Sequence, residues 1–274
     1  MTKSPTPGSI VVGIDGSKAA TRAALWGVDE AISRDVPLRL LYAIGREGRA
    51  TAEFAVRRAI TAIEAERKPV KLESNIVHGP AVGSLIRASA SAAMICVGAV
   101  GLHHFQPGRV GSSAAALATS AHCPVAIIRD RDGWRHPSRE AIVVEVDGPS
   151  DSGELLGVAV EEALLRGAAL RAVISRRNVS TERVVADTEA DRRAIADLDR
   201  RLARWTRRYP QLRVETVATH VNLLEYLTSN RAAAGLVIVG GRNCQRVAEL
   251  VGPVGSSILH GADCSLLVVN QQHL

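Results

Sequence analysis

The chain carries one strand-and-helix plan twice, and that internal repeat limits what its 274 residues can fold into. Ala141-Ile142-Val143-Val144-Glu145-Val146-Asp147-Gly148 restates Ile10-Val11-Val12-Gly13-Ile14-Asp15-Gly16. Residues 168–175 and 212–219 stand for a second and a third strand, and Leu236-Val237-Ile238-Val239-Gly240 for a fourth. The end of the chain, Ala262-Asp263-Cys264-Ser265-Leu266-Leu267-Val268-Val269, echoes Ala121-His122-Cys123-Pro124-Val125-Ala126-Ile127-Ile128. Self-similarity of this length is the mark of a duplicated domain, and each copy of about 130 residues is long enough to bury its own core. Residues 129–139 contain Asp, Gly and Pro and follow neither the helix nor the strand period, which sets the two domains at 1–132 and 133–274.

Within each copy the apolar runs are short and unbroken rather than alternating, as in strands buried on both faces. Between them lie helical patterns, such as the alanine-rich stretch 19–32. Aromatic residues make up only 3% of the chain, so Val, Ile, Leu and Ala must build the cores. The expected fold class is α/β, two tandem domains, each a parallel sheet covered by helices on both faces.

The chemistry concentrates in one motif. Val97-Gly98-Ala99-Val100-Gly101 is followed, after nine residues, by Gly111-Ser112-Ser113. An apolar stretch at 93–97 leads in and a helical pattern at 113–120 leads out, so the glycines fall where strand becomes loop and loop becomes helix. Glycines let the chain turn and come close to a ligand, while a helix start offers free N–H groups, two hydroxyls and the positive end of a dipole. Together these form a phosphate cradle. No Gly-Lys-Ser/Thr follows, which excludes a Walker loop, and the third glycine comes too late for the dinucleotide fingerprint.

Asp15, with Gly16 and Ser17 of the same turn, stands at the carboxyl end of the first strand, the edge where open parallel sheets bind ligands. A carboxylate there can accept from ribose hydroxyls or an adenine amino group. It can equally cap the helix that follows. Lys18 comes next and is the one cation in sequence near this turn.

Other chemistry is thin. Cys96, Cys123 and Cys264 fall in or just before strand patterns and read as small buried hydrophobes, whereas Cys244 lies in an expected loop and is the candidate reactive thiol. His103-His104 has no companion carboxylate or thiol for a metal. Of the net charge of +6, residues 1–132 carry 16 Lys and Arg against 11 Asp and Glu, and residues 133–274 carry 18 against 17. A basic first half suits an anionic ligand. The dense run from Arg200 to Arg208 places Leu198, Leu202 and Trp205 on another face, so the solvated side of an amphipathic helix accounts for it, without nucleic acid or membrane. Neither a signal peptide nor a run of membrane-spanning length is apparent, and the expectation is a cytoplasmic protein.

Val12-Gly13-Ile14-Asp15-Gly16-Ser17, His78-Gly79-Pro80-Ala81 and Gly98-x2-Gly101-x9-Gly111-Ser112 together resemble the universal stress protein family in its ATP-binding branch, over residues 9–129. The resemblance implies a Rossmann-like, five-stranded parallel sheet of order 3-2-1-4-5, two such domains packed as an internal pseudo-dimer, and ATP, with or without Mg2+, at the switch point. By the same resemblance Asp15, Ala43 and Val97 surround adenosine, and Gly98, Gly101, Gly111, Ser112 and Ser113 hold ribose and phosphates. It further implies a nucleotide-dependent regulator in stress adaptation, a protein partner that reads its state, and a homo-oligomer of tandem chains.

The second copy reads as degenerate. A gap-free register from the last strand puts Gly252 on Gly111 and Pro253 on Ser112, replacing a donor with a ring that has none. A shifted register would instead use Gly255-Ser256-Ser257. Glu145 stands where Gly13 stands, adding a negative charge near the ligand's place. A nucleotide-binding regulator, a slow ATPase or phosphate-transfer enzyme, and a nucleotide-free interaction module remain the competing functions, and no paired acids, motif lysine or general base near the glycine loop favour the enzyme.

Overall fold

The computed structural model describes residues 8–45, 48–102, 108–129, 141–146, 153–175, 188–229 and 234–270. The first copy alternates strand and helix: β1 (Ile10–Gly13), α1 (Lys18–Ser33), β2 (Leu38–Ile44), α2 (Arg49–Ala65), β3 (Leu72–His78), α3 (Ala81–Ser89), β4 (Met94–Gly98), α4 (Ser112–Ser120) and β5 (Val125–Ile128). The strands run in the order β3-β2-β1-β4-β5, the 3-2-1-4-5 arrangement that the resemblance implied. Every pairing is parallel, with Ile10 opposite Leu38 on one side of β1 and Met94 on the other. Both faces are covered. Ile10, Val11 and Val12 point alternately to the two helical layers, yet all three are buried.

Local chemistry fixes the ends of α1. Ser17 is its N-cap, its hydroxyl accepting from the Ala20 N–H at 3.0 Å. At the other end Arg34 closes the helix and Asp35, at φ +52°, turns the chain toward β2. The fully buried Glu30 carboxylate is met by Arg34 at 3.1 Å, one turn on.

The second copy repeats the plan with β6 (Ala141–Glu145), α5 (Gly153–Arg166), β7 (Ala169–Ser175), α6 (Thr188–Arg208), β8 (Val214–Thr219), α7 (Leu223–Ser229) and β9 (Ala234–Gly240). Its strands lie in the order β9-β6-β7-β8, all parallel, as β4-β1-β2-β3 do in the first. Leu198 and Leu202 of α6 are buried and Arg200, Arg204, Arg207 and Arg208 exposed, the amphipathic arrangement expected of that run. After β9 the copies part: α8 (Cys244–Val251) and α9 (Pro253–Gly261) precede β10 (Ser265–Val269). Cys244 therefore opens a helix and does not lie in a loop, because Asn243 caps that helix by accepting from the Arg246 N–H.

Contacts join the described part of residues 1–130 with residues 241–256 and 267–270 in one unit, and the described residues of 131–240 and 257–266 in another. Residues 267–269 of β10 thus group with β5, while Ser265 and Leu266 belong to the other unit. Asn270 donates to the carbonyls of Ala118 and Cys123 at 3.5 and 3.4 Å, and Arg129 to that of Ser256 at 2.8 Å.

Gly98 marks the tightest packing near the first sheet's carboxyl edge. A Cβ there would stand 2.6 Å from the Ala19 carbonyl carbon and 2.9 Å from the Ala20 nitrogen, both backbone atoms of the first turn of α1. Gly98→Ala is expected to destabilise the fold by about 1–3 kcal/mol, read as a lower urea midpoint. The cysteines test the packing independently. Cys96, Cys123 and Cys264 are buried and Cys244 exposed, and burial pushes the Cys123 thiol up to about 12. One thiol of the four should react rapidly with a disulfide reagent at mildly alkaline pH in the native protein, and all four after denaturation; a second fast thiol would contradict the buried placement.

Candidate functional site

β1 and β4 are neighbours, while β1 continues to β2 on its other side. The crevice at their carboxyl ends is the switch point of the sheet, where the chain leaves adjacent strands in opposite directions and leaves room for a ligand. Asp15 follows β1 into this crevice and Gly98 ends β4 beside it. The two motifs meet there. One oxygen of Asp15 accepts from the Ser17 N–H at 2.8 Å, and the other from the N–H of Leu102, in the glycine loop, at 3.2 Å. Between cap and crevice residue the structure divides the work: Ser17 caps α1, and Asp15 orders the turn before it and reaches across to the loop.

Gly16 makes that turn at φ +87°, a left-handed conformation that costs glycine nothing. The far side of the crevice is the start of α4. Gly111 is its N-cap and donates its N–H to the Ala99 carbonyl at 2.8 Å, which closes the neck of the loop. The first helical bond runs from Ala115 back to Gly111, so the N–H groups of Ser112, Ser113 and Ala114 lie ahead of the helical ladder. Ser112 and Ser113 are exposed, and no acidic residue occupies the first turn. Two hydroxyls, free amides and a helix dipole thus face outward together.

The remaining expected residues are placed less uniformly. Ala43 is half-buried near the carboxyl end of β2, opposite Val77 of β3 and one strand away from β1. Val97 is buried, with Cγ1 3.2 Å from the place of a Cβ on Gly13, so it packs beneath the crevice floor. Gly98 serves the approach of β4 to α1, and Gly101 lies against Asp15. Lys18 is exposed in the first turn of α1. Leu102 was not singled out by the sequence; its backbone N–H, which carries the contact to Asp15, leaves no trace in a side-chain pattern. His103-His104 and Asp147 lie outside the described residues. Among the described residues no group of three or more His, Cys, Asp or Glu is arranged to hold a metal ion, and no helix is long and apolar enough to cross a membrane.

The corresponding place in the second copy is built differently. Ser256 donates its N–H to the Gly252 carbonyl as Ala115 does to Gly111, which fixes the gap-free register and puts Pro253 on Ser112. Between β9 and α9 the second copy has α8, which runs directly into α9 through Gly252. A Cβ on Gly255, in the first turn of α9, would collide with the Glu249 carbonyl oxygen and lie 2.6 Å from the Leu250 Cα. The last turn of α8 therefore covers the helix start that would be the cradle. At the other end, Glu145 is buried and accepts from the Ser175 hydroxyl at 3.0 Å.

The universal stress protein family model matches this chain twice, over residues 8–129 and 138–270. Universal stress protein Rv2028c of Mycobacterium tuberculosis H37Rv is 52% identical over 289 residues, covering all of both chains. Universal stress protein Rv2624c of the same strain is 40% identical over 276 residues, covering 97% of this chain and 98% of its own. Among solved structures, a universal stress protein from Archaeoglobus fulgidus DSM 4304 shares the fold, with a TM-score of 0.69 at 14% identity and 97% of each chain covered. With the domain matched twice and relatives alike over their whole length, the chain belongs to the universal stress protein family.

Proposed function

We propose that the first copy binds ATP as a regulatory ligand, one molecule per chain, and that the second copy binds none. The observation that carries this reading is the convergence of Asp15 and the α4 start on one crevice, joined by the Asp15 to Leu102 hydrogen bond across 87 residues of sequence. Asp15 sits where a carboxylate can accept from a ribose or an adenine amino group, and Ser112 and Ser113 offer hydroxyls and amides to phosphates. ATP supplies the negative charge that this helix start is suited to receive. Mg2+ would reach the site on the phosphates, since the described residues contribute no acidic cluster to hold it.

The regulatory reading is favoured over phosphate transfer because the sequence places no paired acids, motif lysine or general base near the glycine loop, and the first turn of α4 carries no acid. In the second copy, Pro253 and the last turn of α8 stand where phosphates would lie, and the Glu145–Ser175 pair stands toward the base end. Occupancy of the first site would then be read by a protein partner in the cytoplasm during stress adaptation.

Titration calorimetry should give one ATP per chain, and two equivalent sites would overturn the assignment of the second copy. Asp15→Ala should weaken ATP by about 1–3 kcal/mol through the loss of a polar contact whose partner is left unpaired. Gly111→Val should abolish binding with little change in the unfolding midpoint, because its branched side chain would project toward Ala99 and Gly101 inside the loop. Rapid release of phosphate from ATP by the unmutated protein would favour the enzyme over the regulator.

A further inference from the structure

We infer that Asp15 is a positioning residue for the glycine loop, so that it controls the affinity for phosphate groups it does not touch; this rests on the reading of the crevice as a nucleotide site. Among the described residues the loop that leaves β4 is tied to β5 by the Ala99 N–H donating to Ile128 at 2.8 Å, and it has two anchors beyond that. Its neck is closed by Gly111 donating to Ala99, and its first turn is held by Leu102 donating to Asp15. The second anchor has no alternative in the side chain of Leu102, which is 52% exposed and so gains little from burial. The carboxylate is itself held, since its other oxygen accepts from Ser17 at the start of α1. Asp15 therefore ties the loop to a rigid helix.

Gly101 is the steric complement of this arrangement. A Cβ on Gly101 would lie 2.9 Å from the Asp15 oxygen that accepts from Leu102, so a side chain at 101 would push that oxygen aside. Gly101 in turn lies beside Gly111, whose Cβ position is 3.8 Å from the Gly101 nitrogen. A displacement of Asp15 is thus passed through Gly101 to Gly111 and the free amides of α4. No conformational change is required for this coupling; the carboxylate sets where the loop starts, and the loop sets where the cradle stands.

The test separates phosphate from nucleoside. Tripolyphosphate, adenosine and ATP are titrated into the full chain and its Asp15→Ala, Gly101→Ala and double variants, with Leu102 amide exchange measured by NMR in the ligand-free proteins. Asp15→Ala should weaken tripolyphosphate at least fivefold and speed exchange at Leu102 at least tenfold, with the far-ultraviolet spectrum unchanged. Gly101→Ala should weaken tripolyphosphate similarly, and in the Asp15→Ala background should add less than twofold, because the carboxylate it collides with is gone. Loss of adenosine binding in Asp15→Ala with unchanged tripolyphosphate affinity would overturn the positioning role and leave the nucleotide site standing. Failure of the unmutated protein to bind ATP or tripolyphosphate would overturn the nucleotide reading and this inference with it.

Discussion

The site depends on the approach of β4 to the first turn of α1. With only hydrogen on its Cα, Gly98 lets the end of β4 pass against the backbone of Ala19 and Ala20 at a distance no side chain permits. That contact holds the turn after β1 beside the loop after β4, and the Asp15 to Leu102 hydrogen bond follows from it. Sequence reading gives Gly98 to the phosphates, because a glycine at the end of a strand allows either use. In the structure its packing role is explicit: without close helix–strand packing the two halves of the crevice would not face each other.

The second copy builds the chain beyond its fourth strand differently. Gly240 ends β9 as Gly98 ends β4, and among the described residues a Cβ there would lie 3.8 Å from the Leu155 side chain. Beyond that strand end Asn243 caps α8, and Gly252 links α8 to α9.

Much of the fold could be read directly because buried parallel strands are written as unbroken aliphatic runs. Met94–Gly98 and Val125–Ile128 fall within a residue or so of their expected places, and the register that puts Pro253 on Ser112 follows from counting alone. What escaped were features set by contacts distant in sequence. The Asp15 to Leu102 bond joins a side chain to a main-chain N–H, which no residue pattern records. The helix α8 carries local signals, an Asn243 cap with Val247, Leu250 and Val251 at helical spacing, where the sequence reading expects a loop around Cys244. The repeat was informative about the core and misleading about the segment in which the copies differ.

This contrast has a physical basis. Glu30 with Arg34 and Glu162 with Arg166 occupy the same turn of α1 and α5, each glutamate fully buried and paired one turn on. Arg39 with Glu73 and Arg171 with Glu215 bridge the same two strands in each copy as partly exposed pairs, which solvent screens. Losing one member of a buried pair strands a charge away from water at a cost of several kcal/mol, so such pairs persist through divergence. Positions at the carboxyl edge bear no comparable penalty, because there the chain runs through loops and caps that solvent can satisfy. Gly13 gives way to Glu145, Ala43 to Ser175 and Ser112 to Pro253 while the strand order stays the same. Duplication therefore left one scaffold under constraint in both halves, while the carboxyl edge of the second buries a carboxylate against a hydroxyl and lays the last turn of α8 over the start of α9.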